Sequence, residues 1–172
     1  MFNIFSDFCL CDLQIQLQRV PPPMPAASKV PIKCHKQITT IHKYDFSRHQ
    51  EKLKQKLFCI LGTGLPFVLA KKKASISSNK KISKRRTRFT GVTKNSLNYQ
   101  TLIVVGGKKT YVGSYPLEVD AAITFDFYSM MLHNDMAPTN FSWRAEDVFE
   151  MLESFNQNEG VFEASLFRHK VF

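Results

Sequence analysis

The residues of this chain whose type and spacing could do chemistry are its lysines and arginines, and that chemistry is the binding of a polyanion. Between positions 71 and 113 there are twelve of them and not one Asp or Glu. From position 114 to 172 the balance reverses, with ten acids against three bases. Over all 172 residues the formal net charge is +10. A basic half binds phosphates by releasing condensed counterions, so the acidic half has to face away from them or serve another partner. A solvated basic linker beside an acidic surface helix would carry the same charges, and the pattern leaves both open.

Other chemistries find less support. Cys9, Cys11 and Cys34, with nearby His35, His42 and His49, lack the two tight ligand pairs of a structural zinc site, and no metal or other cofactor is expected. His133, Asn134 and Asp135 are contiguous, which suits a helix end rather than the dispersed metal-binding constellation of a homing endonuclease. There is no phosphate-cradling glycine loop, catalytic carboxylate pair or nucleophile elbow, and no enzyme is expected. The cysteine spacing is not that of a disulfide framework, and the start of the chain lacks the pattern of a secretory signal, so an intracellular, reducing compartment is the expectation. The apolar run 57–70 is broken by Gly62, Gly64 and Pro66 and is too short to span a bilayer, so no membrane partner is expected.

The elements that would position the basic residues fall into four stretches. Residues 1–69 are poorly patterned, with a proline-rich linker at 21–31 and one short basic helix in 44–58. In that helix Ser47 and Gln50 have capping-box spacing, and Leu53 and Leu57 form so narrow a stripe that a solvated basic arm is favoured over weak docking on the core. Residues 70–87 read as a flexible basic arm, suited to lying along phosphates or to nuclear import. Within 88–141, strand character at 89–94, 98–105 and 108–114, with Gly106 and Gly107 at a turn, predicts a three-stranded antiparallel meander. Ala121, Ala122, Phe125, Ser129 and Leu132 recur at helical steps and predict one amphipathic helix over 117–132. Pro116 suits its entrance, Glu118 and Asp120 its positive end, and Asn134 a left-handed stop. Residues 142–172 form an acidic extension in which Val148, Met151, Leu152 and Phe155 mark an amphipathic helix. That helix would pack on the domain or offer an acidic, apolar surface to a transcriptional co-regulator. The fold class is therefore α+β, a three-stranded antiparallel sheet packed on one amphipathic helix. A basic, largely flexible N-terminal region precedes it and an acidic C-terminal helix follows.

Within 88–141 the order FTGV, YVGSY, AAITFD and the closing Asn140–Phe141 resembles the Apetala-two/ethylene-response-factor DNA-binding domain, whose corresponding motifs are YRGV, WLGTF, AAxAYD and NF. The resemblance implies a sheet laid in the major groove of duplex DNA with the helix behind it, in a transcription factor acting in the nucleus. A strand ribbon is narrow enough to enter that groove and present alternate side chains to base edges. Alternation then turns Tyr99, Thr101, Ile103, Thr110 and Val112 to the helix and Gln100, Leu102, Val104, Lys109 and Tyr111 to DNA. Thr90, Thr93, Lys94 and Asn95 complete the expected DNA-binding set, with Arg85, Arg86 and Arg88 on phosphates.

The chain departs from the family where the latter's arginines and glutamate read bases, having Thr93, Asn95, Leu102 and Val104 there. Two readings of the face stay open. Either Lys94, Asn95, Gln100, Lys109 and Tyr111 read a thymine-richer site, with Leu102 and Val104 on thymine methyls, or the sheet binds DNA with little sequence preference. A DNA-binding module derived from a mobile element or homing endonuclease without nuclease activity, and an RNA or protein interaction module, are the alternatives to a transcription factor.

Overall fold

Two alternating runs joined by Gly106 and Gly107 fold back on each other as the meander requires, since both glycines adopt the positive φ of a tight hairpin, 56° and 79°. The computed structural model describes residue 41 and residues 44–71 and 84–171, all within the unit His35–Phe172. In chain order these residues form helix α1 (Ser47–Phe58), strands β1 (Pro66–Val68), β2 (Val92–Asn95), β3 (Asn98–Val105) and β4 (Lys108–Tyr115), and helix α2 (Glu118–His133). Strand β5 (Trp143–Arg144), helix α3 (Ala145–Gln157) and a final 3₁₀ helix (Ala164–Lys170) follow. The proline-rich stretch 21–31, residues 72–83 of the basic arm, and Cys9, Cys11, Cys34, His35 and His42 lie outside the described residues.

The fold class is α+β, with an antiparallel sheet in the order β2-β3-β4. Its inner face buries Val92, Thr101, Ile103 and Val112 against α2, all at most 4% exposed. The helix sits close enough for the Thr101 hydroxyl to donate to the Ala121 carbonyl at 2.8 Å, which the small side chains of Ala121 and Ala122 permit. Simple alternation fails at one place. Thr101 pairs with Gly113 but Leu102 pairs with Tyr111, so Val112 is the extra residue of a β-bulge and both Val112 and Gly113 turn inward. Beyond the bulge the phase is inverted: Ser114 lies opposite Gln100 and Tyr115 opposite Tyr99. Tyr115 thus packs on Val92, Ala121 and Ala122, and burial pushes its phenol up to about 12.

Helix α2 differs from the expected amphipathic element. Every residue from Asp120 to Met131 is buried, because a second layer covers the side away from the sheet. Phe127 stacks on Phe162 with centroids 4.0 Å apart, and Tyr128 packs on Phe46 and Phe155. The apolar side of α3 supplies Val148, Met151, Leu152 and Phe155 to this layer, so the acidic helix packs on the domain. Helix α1 joins it too, correcting the expected solvated arm: Leu53 and Leu57 are 0% exposed. Ser47 is no capping-box residue, since its N–H and O–H both donate to Asp45 Oδ1, at 2.9 and 2.7 Å. The backbone bond from Ser47 is the main cause that holds the Asp45 carboxyl below its ordinary range. The broken apolar run contains β1, which pairs antiparallel with β5 and buries Phe67, Val68 and Trp143.

Gly91, ahead of β2, has φ +74°, and a Cβ built there would lie 1.9 Å from the Phe125 ring. The backbone passes so close to α2 that no other residue fits. Gly91→Ala should combine left-handed strain with a core clash and destabilise by about 3 kcal/mol. Gly107→Ala, with φ +79° and nothing within 4 Å, should cost only about 1 kcal/mol. Urea midpoints of the two variants check the difference.

Candidate nucleic-acid interface

The outer face of the sheet follows from the register. Thr93, Gln100 and Ser114 share one row, Leu102 and Tyr111 the next, and Val104 and Lys109 the last before the hairpin. Asn95 and Asn98 pair at the other end. No helix or strand among the described residues covers this face, and Val104 is 51% exposed on it. Thr93, Asn95, Gln100, Leu102, Val104, Lys109 and Tyr111 thus stand on the side expected of them. Ser114 and Asn98 belong there as well. Ser114 was hidden by the bulge, which no residue type announces.

Two expected contacts are placed differently. Lys94 pairs with Tyr99, and cross-strand partners share a face, so Lys94 projects from the end of the sheet on the helix side. Arg88 is drawn to the start of α2: its N–H donates to Glu118 Oε1 at 3.1 Å, its Nε lies 3.7 Å from Glu118 Oε2, and its guanidinium sits 4.6 Å over the Phe89 ring. Its charge is already partly answered.

The last residues of the basic arm are ordered by contact with β2, which corrects the expectation of a flexible segment for 84–87. Arg86 bridges Thr93, the Lys94 N–H donates to the Arg85 carbonyl at 2.9 Å, and the buried Thr87 hydroxyl donates to the Val92 carbonyl at 2.7 Å. Arg85 and Arg86 are thereby fixed along the β2 edge, exposed and beside the outer face. Lys108 and Lys109 are exposed at the opposite edge. The outer face is polar in its middle row, apolar at Leu102 and Val104, and flanked on two sides by cations.

A buried network holds the turn before β2 to the helix. Asp126 Oδ1 accepts from the Asn140 backbone N–H at 2.7 Å and its side-chain Nδ2 at 3.0 Å. Asp126 Oδ2 accepts from the Phe141 N–H at 2.9 Å and Trp143 Nε1 at 3.0 Å. Asn140 in turn accepts from the Thr90 N–H at 2.7 Å and donates to the Thr90 carbonyl at 3.1 Å. The Thr90 backbone, expected near DNA, is therefore occupied in holding the fold together. Burial pushes the Asp126 carboxyl up to about 7, and the four N–H donors keep it from rising further. Sequence patterning missed this role, although a lone Asp between Phe125 and Phe127 was the available signal.

The acidic extension is likewise partly used up internally. Arg168 donates from Nε and a terminal nitrogen to both oxygens of the buried Asp120, each at 2.6 Å. Lys170 lies 2.9 Å from Asp147 and 3.0 Å from Glu150, which raise its ammonium above the ordinary range. Glu146 accepts from the Gly62 N–H. Among the described residues no group of three His, Cys, Asp or Glu could hold a metal ion, and no helix is long and apolar enough to cross a membrane.

No protein-family model, curated protein or solved structure matches this chain.

Proposed function

We propose that this chain is a DNA-binding transcription factor of the Apetala-two/ethylene-response-factor type. It acts in the nucleus without catalysis and lays the outer face of β2-β3-β4 in the major groove of duplex DNA. The observation that carries the reading is the outer face itself: a rigid three-stranded ribbon with Thr93, Gln100, Lys109 and Tyr111 on one side, and Arg85 and Arg86 fixed along its edge. A ribbon of this width fits a major groove about 12 Å across, and the flanking cations are placed for the phosphates on either side. Backing by a helix buried from Asp120 to Met131 keeps the ribbon from bending when it docks, which favours binding by reducing the ordering cost. The exposed carboxylate that remains on α3, Glu153, is proposed to meet a co-regulator together with the outward side of that helix.

Selection of bound duplexes from a random pool tests the reading. Enrichment of a common motif is expected, and a pool that stays random through successive rounds would contradict sequence-specific binding. Replacing both Arg85 and Arg86 with Ala should weaken all duplexes alike. It should also reduce the slope of log affinity against log salt by about one for each phosphate no longer neutralised. Replacing Gln100 with Ala should instead change which duplexes are preferred.

A further inference from the structure

The outer face is not uniformly polar. Gly91, Thr93, Leu102, Val104 and Lys109 border a hollow of about 240 Å³, open to solvent and mainly apolar in its lining. It is smaller than the roughly 300–1,000 Å³ of a typical small-molecule site, so it suits the edge of a larger ligand better than a free metabolite. Val104 stands beside Lys109 across the strands and Leu102 beside Tyr111. Val104, 51% exposed, and half-buried Leu102 thus present apolar surface to water on the central strand of a face flanked on two sides by cations. Exposed apolar groups on such a face are relieved of their hydration cost only if the ligand brings an apolar group to them.

Resting on the DNA-binding reading above, we propose that this hollow reads the 5-methyl group of pyrimidines, with Leu102 and Val104 as the specificity-determining residues. In the major groove the only apolar group a base edge presents is the methyl at C5, carried by thymine and by 5-methylcytosine. The cations Lys108, Lys109, Arg85 and Arg86 match a duplex rather than an apolar protein surface, because they stand exposed at the two outer edges of the sheet that carries the hollow. Leu102 and Val104 then occupy the space where an arginine would reach for guanine. The face discriminates by shielding a methyl from water rather than by donating hydrogen bonds.

Binding of the full chain to four labelled duplexes tests the proposal: alternating adenine–thymine, the same with deoxyuridine for thymidine, alternating guanine–cytosine, and the same with 5-methylcytosine. Each shielded methyl is worth about fourfold in affinity. Deoxyuridine should therefore weaken binding and 5-methylcytosine strengthen it, by that factor per methyl shielded. In a Leu102→Ser, Val104→Ser double variant, with folding checked by its thermal transition, both differences should vanish. Equal binding of methylated and methyl-free duplexes by the unmodified chain would overturn the proposal alone. Methyl discrimination that persists in the double variant would overturn the assignment to this hollow. Failure to bind any duplex would overturn the DNA-binding reading with it.

Discussion

Trimming the chain to residues 88–141 should abolish its cooperative thermal transition, although those residues contain the whole three-stranded sheet and the helix behind it. Helix α2 is buried on every side, and the layer opposite the sheet comes from outside that range. Phe127 and Tyr128 would be stripped of Phe155, Phe162 and Phe46, and uncovering these two side chains alone would cost about 3–6 kcal/mol. The contributions of Leu53, Leu57, Met151, Leu152 and Phe167 would vanish as well. A domain's whole stability is only about 5–15 kcal/mol, so the fragment should not fold. Calorimetry or circular dichroism on the fragment and on the full chain measures this, and a fragment that melts cooperatively near the full chain's midpoint would refute it.

The second large effect is expected at Asp126. Asp126→Ala should destabilise by about 4 kcal/mol. It strands four N–H donors, including the buried Trp143 indole, and a buried donor left without a partner costs about 1–3 kcal/mol. Asp126→Asn keeps the shape but turns an NH₂ toward two of those donors, so its loss should be intermediate. Because Asn140 links the same carboxylate to Thr90, both variants should also loosen the turn before β2. Faster amide exchange at Val92 and Thr93 than at Ile103 would report that loosening. Equal stability of Asp126→Ala and the unaltered chain in denaturant would show that the network does not hold the fold.

The sheet was legible in the sequence because period-two alternation and a glycine pair are local signals, and β3 lies where they place it. The bulge at Val112 was not legible. It depends on which residue of β3 each residue of β4 meets, and that moved Ser114 to the outer face and Tyr115 to the core. In α2 the helical spacing of Ala121, Ala122 and Phe125 marks the helix correctly, but Ile123, Phe127, Met130 and Met131 between them are apolar too. A helix apolar all round means a second layer, and the sequence carries that signal. What supplies the layer is harder to see. Two leucines on α1 form a stripe too narrow to distinguish docking from solvation, and β1 and β5 are too short to show a period. Of the candidate site, Gln100, Leu102, Val104, Lys109 and Tyr111 followed from alternation, whereas Ser114 on β4 did not. The ion pair of Arg88 to Glu118 and the face taken by Lys94 were not legible, because tertiary contacts and strand register decide them.

On the proposed function, the outer face of the sheet is the surface that meets DNA. Titrating isotope-labelled protein with a duplex and following its backbone amide resonances locates that surface residue by residue. The expected result is that shifts concentrate at Arg85, Arg86, Thr93, Gln100, Leu102, Val104, Lys109 and Tyr111, while α1 and α3 stay unchanged. Shifts confined to α1 or α3, or no shifts at any duplex concentration, would contradict it.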